Sequence, residues 1–372
     1  MIAIAPLGTP RAPWVSAWRR TSHFLLSWLI ITGGCRADDS QRAAASTSRE
    51  ALPLEIQWAD SIVIEEEPPV VLVQPEVSID PHGGFLIADE REARIHRFGF
   101  DGVLEWTAGG RGGGPGEFRS VVAVRRLPGG EIIAADRNAT VTVFDSIAKE
   151  ILLAQKTGLT RVEDMEVLDS SRIVLAGASG GDPALERIHV YDFRASAILG
   201  SFFRALDGVN NLDAASVAGW VELSVRSDTI AAIFSVKDTL FLFDRSGASV
   251  RRIPIATTNF RRVYAQPPSG PQPDNPSRMA EWLSTFDLVA DIHWLDQNRL
   301  LVPYQSIGPT EALERTWHLL VVSSDGRHLW ELRDATRPLV SDSTAGTIIF
   351  VSPNSMTPER WSVGHLQLEV LQ

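Results

Sequence analysis

The sequence predicts an all-β chain: a six-bladed β-propeller with four-stranded antiparallel blades, its ring closed by the N-terminal strand. Three observations lead there. Landmarks recur at near-constant spacing: Asp89 and Asp136 are 47 residues apart, Phe98 and Phe144 are 46 apart, and Tyr191 follows 47 further on. The apolar runs between Gly, Asp, Asn and Ser turns are short and rich in Val, Ile, Leu and Phe. Long helical periodicity is almost absent. A period of about 45–50 residues with about four strands per unit belongs to a propeller, in which a sheet buries both faces only between neighbouring blades.

From the N-terminus, Arg11, Arg19 and Arg20 precede the apolar "FLLSWLII" (24–31) and then "TGGC", ending at Cys35. This is the layout of a secretory signal, too short to span a bilayer as a stable helix. The small residues before Cys35 resemble a bacterial lipobox, which assigns residues 1–34 to a lipoprotein-type signal peptide and makes Cys35 the lipidation site. The other reading is ordinary cleavage near Gly34. Residues 35–52 are small and polar and read as a flexible tether. Without the signal the chain carries 32 basic against 46 acidic side chains, net −14, which disfavours nucleic acid. A composition of 44% hydrophobic and 22% charged residues is globular.

The propeller is expected over 53–372. "PLEIQWADSIVIEEE" (53–67) holds no complete unit and is expected to complete the last blade as a clasp. Six units follow: "DPHGGFLIADEREARIHRFGFDG" (80–102), "LPGGEIIAADRNATVTVFDSIAK" (127–149), and looser copies at 170–196, 227–249, 297–332 and 345–370. An insertion at 255–290 breaks the pattern. Its prolines, from Pro267 to Pro273, forbid a sheet ladder. Asn275 and Pro276 read as N-cap and first turn of a short helix with Met279, Trp282, Leu283 and Phe286 on one stripe. Such a helix packs over a blade edge or shapes a site as a lid.

The first unit resembles the NHL-type repeat of six-bladed propellers, with Asp89, Arg94, Ile95, Phe98, Asp101 and Gly102 at its landmarks. The second keeps Asp136, Asn138 and Phe144 but has Val141 in place of the arginine. "GGRGGGPGEF" (109–118) is similar to a segment of bacterial propeller lipoproteins of TolB-like architecture. The resemblance covers about 55–370. It implies the fold and almost no activity, because propellers host unrelated functions.

The glycine-rich segment lacks the Lys-Ser/Thr of a phosphate loop and the βαβ setting of a dinucleotide site. Its glycines supply positive φ or close approach, Phe118 anchors it in a seam, and Glu117 pairs with Arg111 or accepts backbone N–H groups. Alternatively Arg111 and Glu117 face a ligand. Asp89 and Asp136 end strands, with Arg91 and Arg137 just beyond, so all six are rim ligand candidates. The competing role for each Asp is to cap its own turn.

His96 and His189 stand two residues before their units' aromatics and point out of their strands, an equivalence that reflects the repeat. No His-x-x-x-His pair occurs. No cofactor is expected, with Ca2+ the metal that converging carboxylates would take. The reading is a monomeric, lipid-anchored binding or scaffold module for a protein, peptide or glycan, on the periplasmic face of a bacterial outer membrane. The alternative is a metal-assisted hydrolase or lyase of the lactonase-like propeller class.

Overall fold

Turn chemistry sets the strand boundaries, and the sequence units map onto antiparallel meanders. The computed structural model describes residues 49–63, 76–180, 186–207, 218–263, 275–309, 314–335, 338–341, 347–351 and 360–368. The signal segment, Cys35, most of the tether and the proline run lie outside the described residues.

After β1 (Leu52–Val63) the first sheet contains β2 (Glu76–Ile79), β3 (Phe85–Asp89), β4 (Arg94–Phe98) and β5 (Leu104–Gly109). The second contains β6 (Val121–Arg126), β7 (Ile132–Asp136), β8 (Thr140–Phe144) and β9 (Ile151–Lys156). The third contains β10 (Arg161–Val167), β11 (Arg172–Ala178), β12 (Ile188–Asp192) and β13 (Ala197–Phe202). The fourth contains β14 (Val221–Arg226), β15 (Thr229–Phe234), β16 (Thr239–Asp244) and β17 (Ser249–Pro254). The aromatic landmarks hold one register position: Phe98 pairs with Phe85, Phe144 with Ile132, Tyr191 with Ile173 and Phe243 with Ile230. At each of them a bulge interrupts pairing to the outermost strand. A bulge bends and twists the strand that carries it.

The remaining strands are β18 (Asp287–Val289), β19 (His293–Trp294), β20 (Arg299–Ile307), β21 (Arg315–Ser323), β22 (Leu329–Ala335), β23 (Pro338–Ser341), β24 (Thr347–Val351) and β25 (Arg360–Leu368). Here the expectation of six blades is corrected: the described residues form five. Four are four-stranded and one is nine-stranded. The cause is β1. It pairs antiparallel with β25 from Leu54↔Leu368 to Val63↔Arg360, and parallel with β22 at Leu52↔Trp330 and Pro53↔Glu331. The last two sequence units are thereby joined into one sheet. Before β1, Arg49 bridges to Thr257 and donates to the carbonyl of Gly326 at 2.6 Å.

The innermost strands β2, β6, β10, β14, β19 and β23 are neighbours in that order, and β23 lies beside β2. Between the sheets run dry seams. Ile95, Phe118, Val121 and Phe144 fill the first, and Val141, Met165, Leu175 and Tyr191 the second. The seam between the third and fourth sheets also receives α1 (Pro276–Leu283). Asn275 caps α1, its side chain accepting from Arg278 N–H at 3.1 Å, and Trp282, Leu283 and Phe286 are buried with Val190, Phe203 and Phe234. The helix packs over a blade seam. Among the described residues no helix is long and apolar enough to cross a membrane.

Candidate functional site

The six rim candidates gather around the connection from β5 to β6. Asp89 caps its own turn, Oδ1 accepting from the N–H of Arg91 at 2.9 Å and of Glu92 at 3.1 Å. Burial raises its pKa against the pull of those two hydrogen bonds. Asp136 accepts from Asn138 N–H at 2.6 Å, and its other oxygen accepts from Arg119 N–H at 2.5 Å and Ser120 N–H at 3.2 Å. Arg137 pairs with Glu90 at 2.9 Å and donates to Ser120 Oγ at 3.2 Å. Arg111 donates to the carbonyls of Arg91 and Arg119.

Arg111 and Glu117 therefore do not bond to each other. Glu117 Oε2 accepts from Gly113 N–H at 3.0 Å and Gly114 N–H at 2.9 Å, so the loop wraps its own carboxylate. A Cβ on Gly112 would stand 1.9 Å from that oxygen. Gly109 is needed on two counts, with φ +86 and a Cβ that would meet the Phe118 ring at 2.7 Å. The segment is a backbone anion nest filled from within the chain. Beside it opens a cavity of about 640 Å³, lined on one side by Gly112–Pro115 and on the other by Asn138, Thr140, Gln155 and Lys156.

A second constellation sits on the innermost strands. Ser78, Arg125, Glu166, Ser224 and His293 occupy one register position, opposite Leu86, Ile133, Val174, Ala231 and Leu301. Two residues earlier on their strands stand Glu76, Asp164 and Glu222, and Asp291 precedes β19 by the same step. Arg125 is the hub. It pairs with Glu76, donates to Glu166 Oε1 from Nη2 at 2.9 Å and from Nε at 3.2 Å, and lies 4.0 Å from Asp164. Asp291 Oδ2 is 2.9 Å from His293 Nε2.

Side chains also dock these strands onto one another, because their axis-facing edges have no ladder partner. Ser78 donates to the Val124 carbonyl at 2.8 Å, Asp164 accepts from Leu223 N–H at 2.8 Å, and Ser224 Oγ accepts from Trp294 N–H at 3.1 Å.

Five carboxylates thus face one guanidinium and one imidazole. Burial pushes Asp164 up to about 7; Arg125 pulls it down, while Glu166, Asp291 and Glu76 add to the rise. Burial, then Asp291, Asp164 and Glu163, hold Glu222 well above the carboxylate range. Burial outweighs Arg125 at Glu76, whose pKa is raised. At His293 burial favours the neutral ring, but the Asp291 charge prevails and the pKa is raised. The cluster is nonetheless reachable: Glu76 keeps 29% of its side-chain surface and Asp291 35%. Glu76 Oε2 has no hydrogen-bond partner among the described residues.

His96 and His189 are equivalent, as the repeat requires, but they are buried instead of pointing out of their strands. Each sets Nδ1 2.8 Å from a hydroxyl on the outermost strand, Thr107 and Ser201. Burial lowers both pKa values, His96 to about 4. Among the described residues no three His, Cys, Asp or Glu side chains are spaced to hold one metal ion.

The arrangement of strands is that of known propellers. The likeness is one of fold. A DUF4221-family protein from Bacteroides vulgatus matches with a TM-score of 0.61 at 10% identity, over 86% of this chain and 100% of its own. A candidate exported protein of Bacteroides fragilis matches at 0.52 and 9%, over 87% and 99%. The U3-55K structure matches at 0.51 and 9%, over 83% and 99%. No protein-family model matches the chain, and no curated protein does.

Proposed function

We propose that the chain is a binding module which takes a positively charged group of a protein or peptide partner at the axial ring of carboxylates. One observation carries this reading: Glu76, Asp164, Glu166, Glu222 and Asp291 crowd around Arg125 and His293, and Glu76, Glu166 and Asp291 keep part of their side-chain surface open to solvent. An arriving cation offsets the mutual repulsion that adds to burial in raising the pKa values of Glu76, Asp164 and Glu222. Of the partner classes that the sequence leaves open, a basic peptide suits this ring better than a neutral glycan. The fold supports a binding or scaffold role and assigns no reaction. The chain is placed at the bacterial cell envelope by its signal segment and held there by lipid on Cys35.

The test is fluorescence anisotropy of a labelled oligolysine peptide with the protein from residue 36 onward. Saturable, salt-sensitive binding that weakens in Glu76→Gln and Glu222→Gln supports the reading. Equal binding by both variants, or none at low salt, overturns it. Separately, Cys35→Ser is expected to release the protein from the membrane fraction, and retention there rejects the anchor.

A further inference from the structure

The cavity beside the glycine-rich loop has the opposite chemistry to the axial ring. Both acids on its wall are already engaged. Glu117 is held by the N–H groups of Gly113 and Gly114, and Asp136 by those of Arg119, Ser120 and Asn138. The open valences are donors. The Arg119 guanidinium, the Asn138 amide and the Thr140 hydroxyl have no hydrogen-bond partner among the described residues, and Lys156 Nζ donates only to the Asn138 carbonyl, at 2.9 Å. Gln155 spends its amide N–H on the Phe193 carbonyl at 2.6 Å, which leaves its oxygen free to accept. The volume of about 640 Å³ lies within the usual size range of small-ligand sites.

We propose that this cavity is a second ligand site, independent of the axial one, and that it takes an acidic sugar. Arg119 and Lys156 meet the carboxylate, and Asn138, Thr140 and Gln155 meet the hydroxyls. A planar guanidinium matches a carboxylate with two parallel hydrogen bonds, and lysine adds a point charge. The mixed donors and acceptors opposite suit hydroxyl groups, which both give and accept hydrogen bonds. The glycine-rich loop supplies a wall with no side chains of its own along Gly112–Gly114, so a ring can approach the backbone closely.

The experiment is calorimetric titration with D-glucuronate, glucose and inorganic phosphate, each at millimolar concentration. Glucuronate is expected to bind and glucose not to bind. Arg119→Ala is expected to weaken glucuronate by about tenfold or more, the scale of a charge-assisted hydrogen bond. Glu222→Gln is expected to leave it unchanged, which separates this site from the axial one. Arg119 is exposed, and an unchanged melting temperature confirms that its variant folds. Equal binding of glucose, no binding of glucuronate, or full binding by Arg119→Ala overturns the proposal. Phosphate bound more tightly than glucuronate, and lost in Arg119→Ala, rejects the sugar in favour of a plain anion site.

Discussion

Asp80 and Arg126 face each other across the seam between the first two sheets, Oδ1 2.7 Å from Nε and Oδ2 2.5 Å from Nη2. Their side chains are 0% and 3% accessible, and Arg97 reaches the same carboxylate at 2.9 Å. Removing one partner of a buried pair strands the other charge. Asp80→Ala is therefore expected to lower stability by about 3–5 kcal/mol in denaturant titration. A loss below about 1 kcal/mol would show that water replaces the carboxylate.

The same pair has a pH signature. Burial works to raise the Asp80 pKa, but hydrogen bonds from Arg126 and Arg97 prevail and lower it. A depressed carboxyl stabilises the fold above its unfolded value, and that contribution disappears as the pH falls through the folded value. Unfolding at acid pH is expected to shift in Asp80→Asn. An unchanged acid limb contradicts the assignment.

At the axis the sign reverses. Asp164 and Glu222 bind protons more tightly in the folded state, and His293 does too. They are faced by Glu76, Arg125, Glu163, Glu166 and Asp291. For the two carboxyls the contribution is full below the unfolded carboxyl range and falls as the pH rises from about 4 to about 7, with Glu222 extending the loss higher, whereas His293 loses its contribution only as the pH rises above the ordinary imidazole value. Glu222→Gln keeps the shape without the charge. It is expected to flatten the alkaline side of the stability profile, and an identical slope in variant and parent rejects this account.

Gly112→Ala and Glu117→Ala should behave alike. The new Cβ occupies the space of the carboxylate oxygen, which is the far end of a flexible side chain and swings away. Amide exchange at Gly113 and Gly114 is expected to accelerate in both, with global stability changed by less than about 1 kcal/mol because these groups are exposed. The double variant should be no worse than either single one. An additive result would mean that the two residues do not share this contact.

Trp282→Ala tests the helical insertion. Trp282 is 1% exposed and stacks edge-on to Phe286 with centroids 5.2 Å apart. A loss of about 3–5 kcal/mol is expected if α1 is part of the seam. A near-neutral variant would make it a removable lid.

The landmarks Asp89, Asp136, Phe98, Phe144 and Tyr191 were legible in the sequence because each answers to a local demand, a turn cap or a seam. Asn275 and Pro276 were legible as a helix start for the same reason. The axial cluster is not legible in the same way, because the repeat landmarks lie on the second and third strands of each blade and the cluster lies on the first. Counted back to the first strands, Arg125, Glu166 and His293 fall in one column, and Glu76, Asp164 and Glu222 in another. That column has no fixed residue type, so it carries no pattern until the register is known. The blade count failed for a related reason: the pairing of Leu52 with Trp330 joins residues far apart in the chain, and no local signal announces it.

The partnership of β1 with β25 also dictates when the molecule can be finished. As the chain is synthesised, β1 emerges first and waits through almost its entire length, its edge bare, until Arg360–Leu368 appears. Until then the early blades have only each other, and an unpaired edge is a template for any stray strand. A chain that stalls before Arg360 leaves β1 without its antiparallel partner, and its open edge exposed to mispairing.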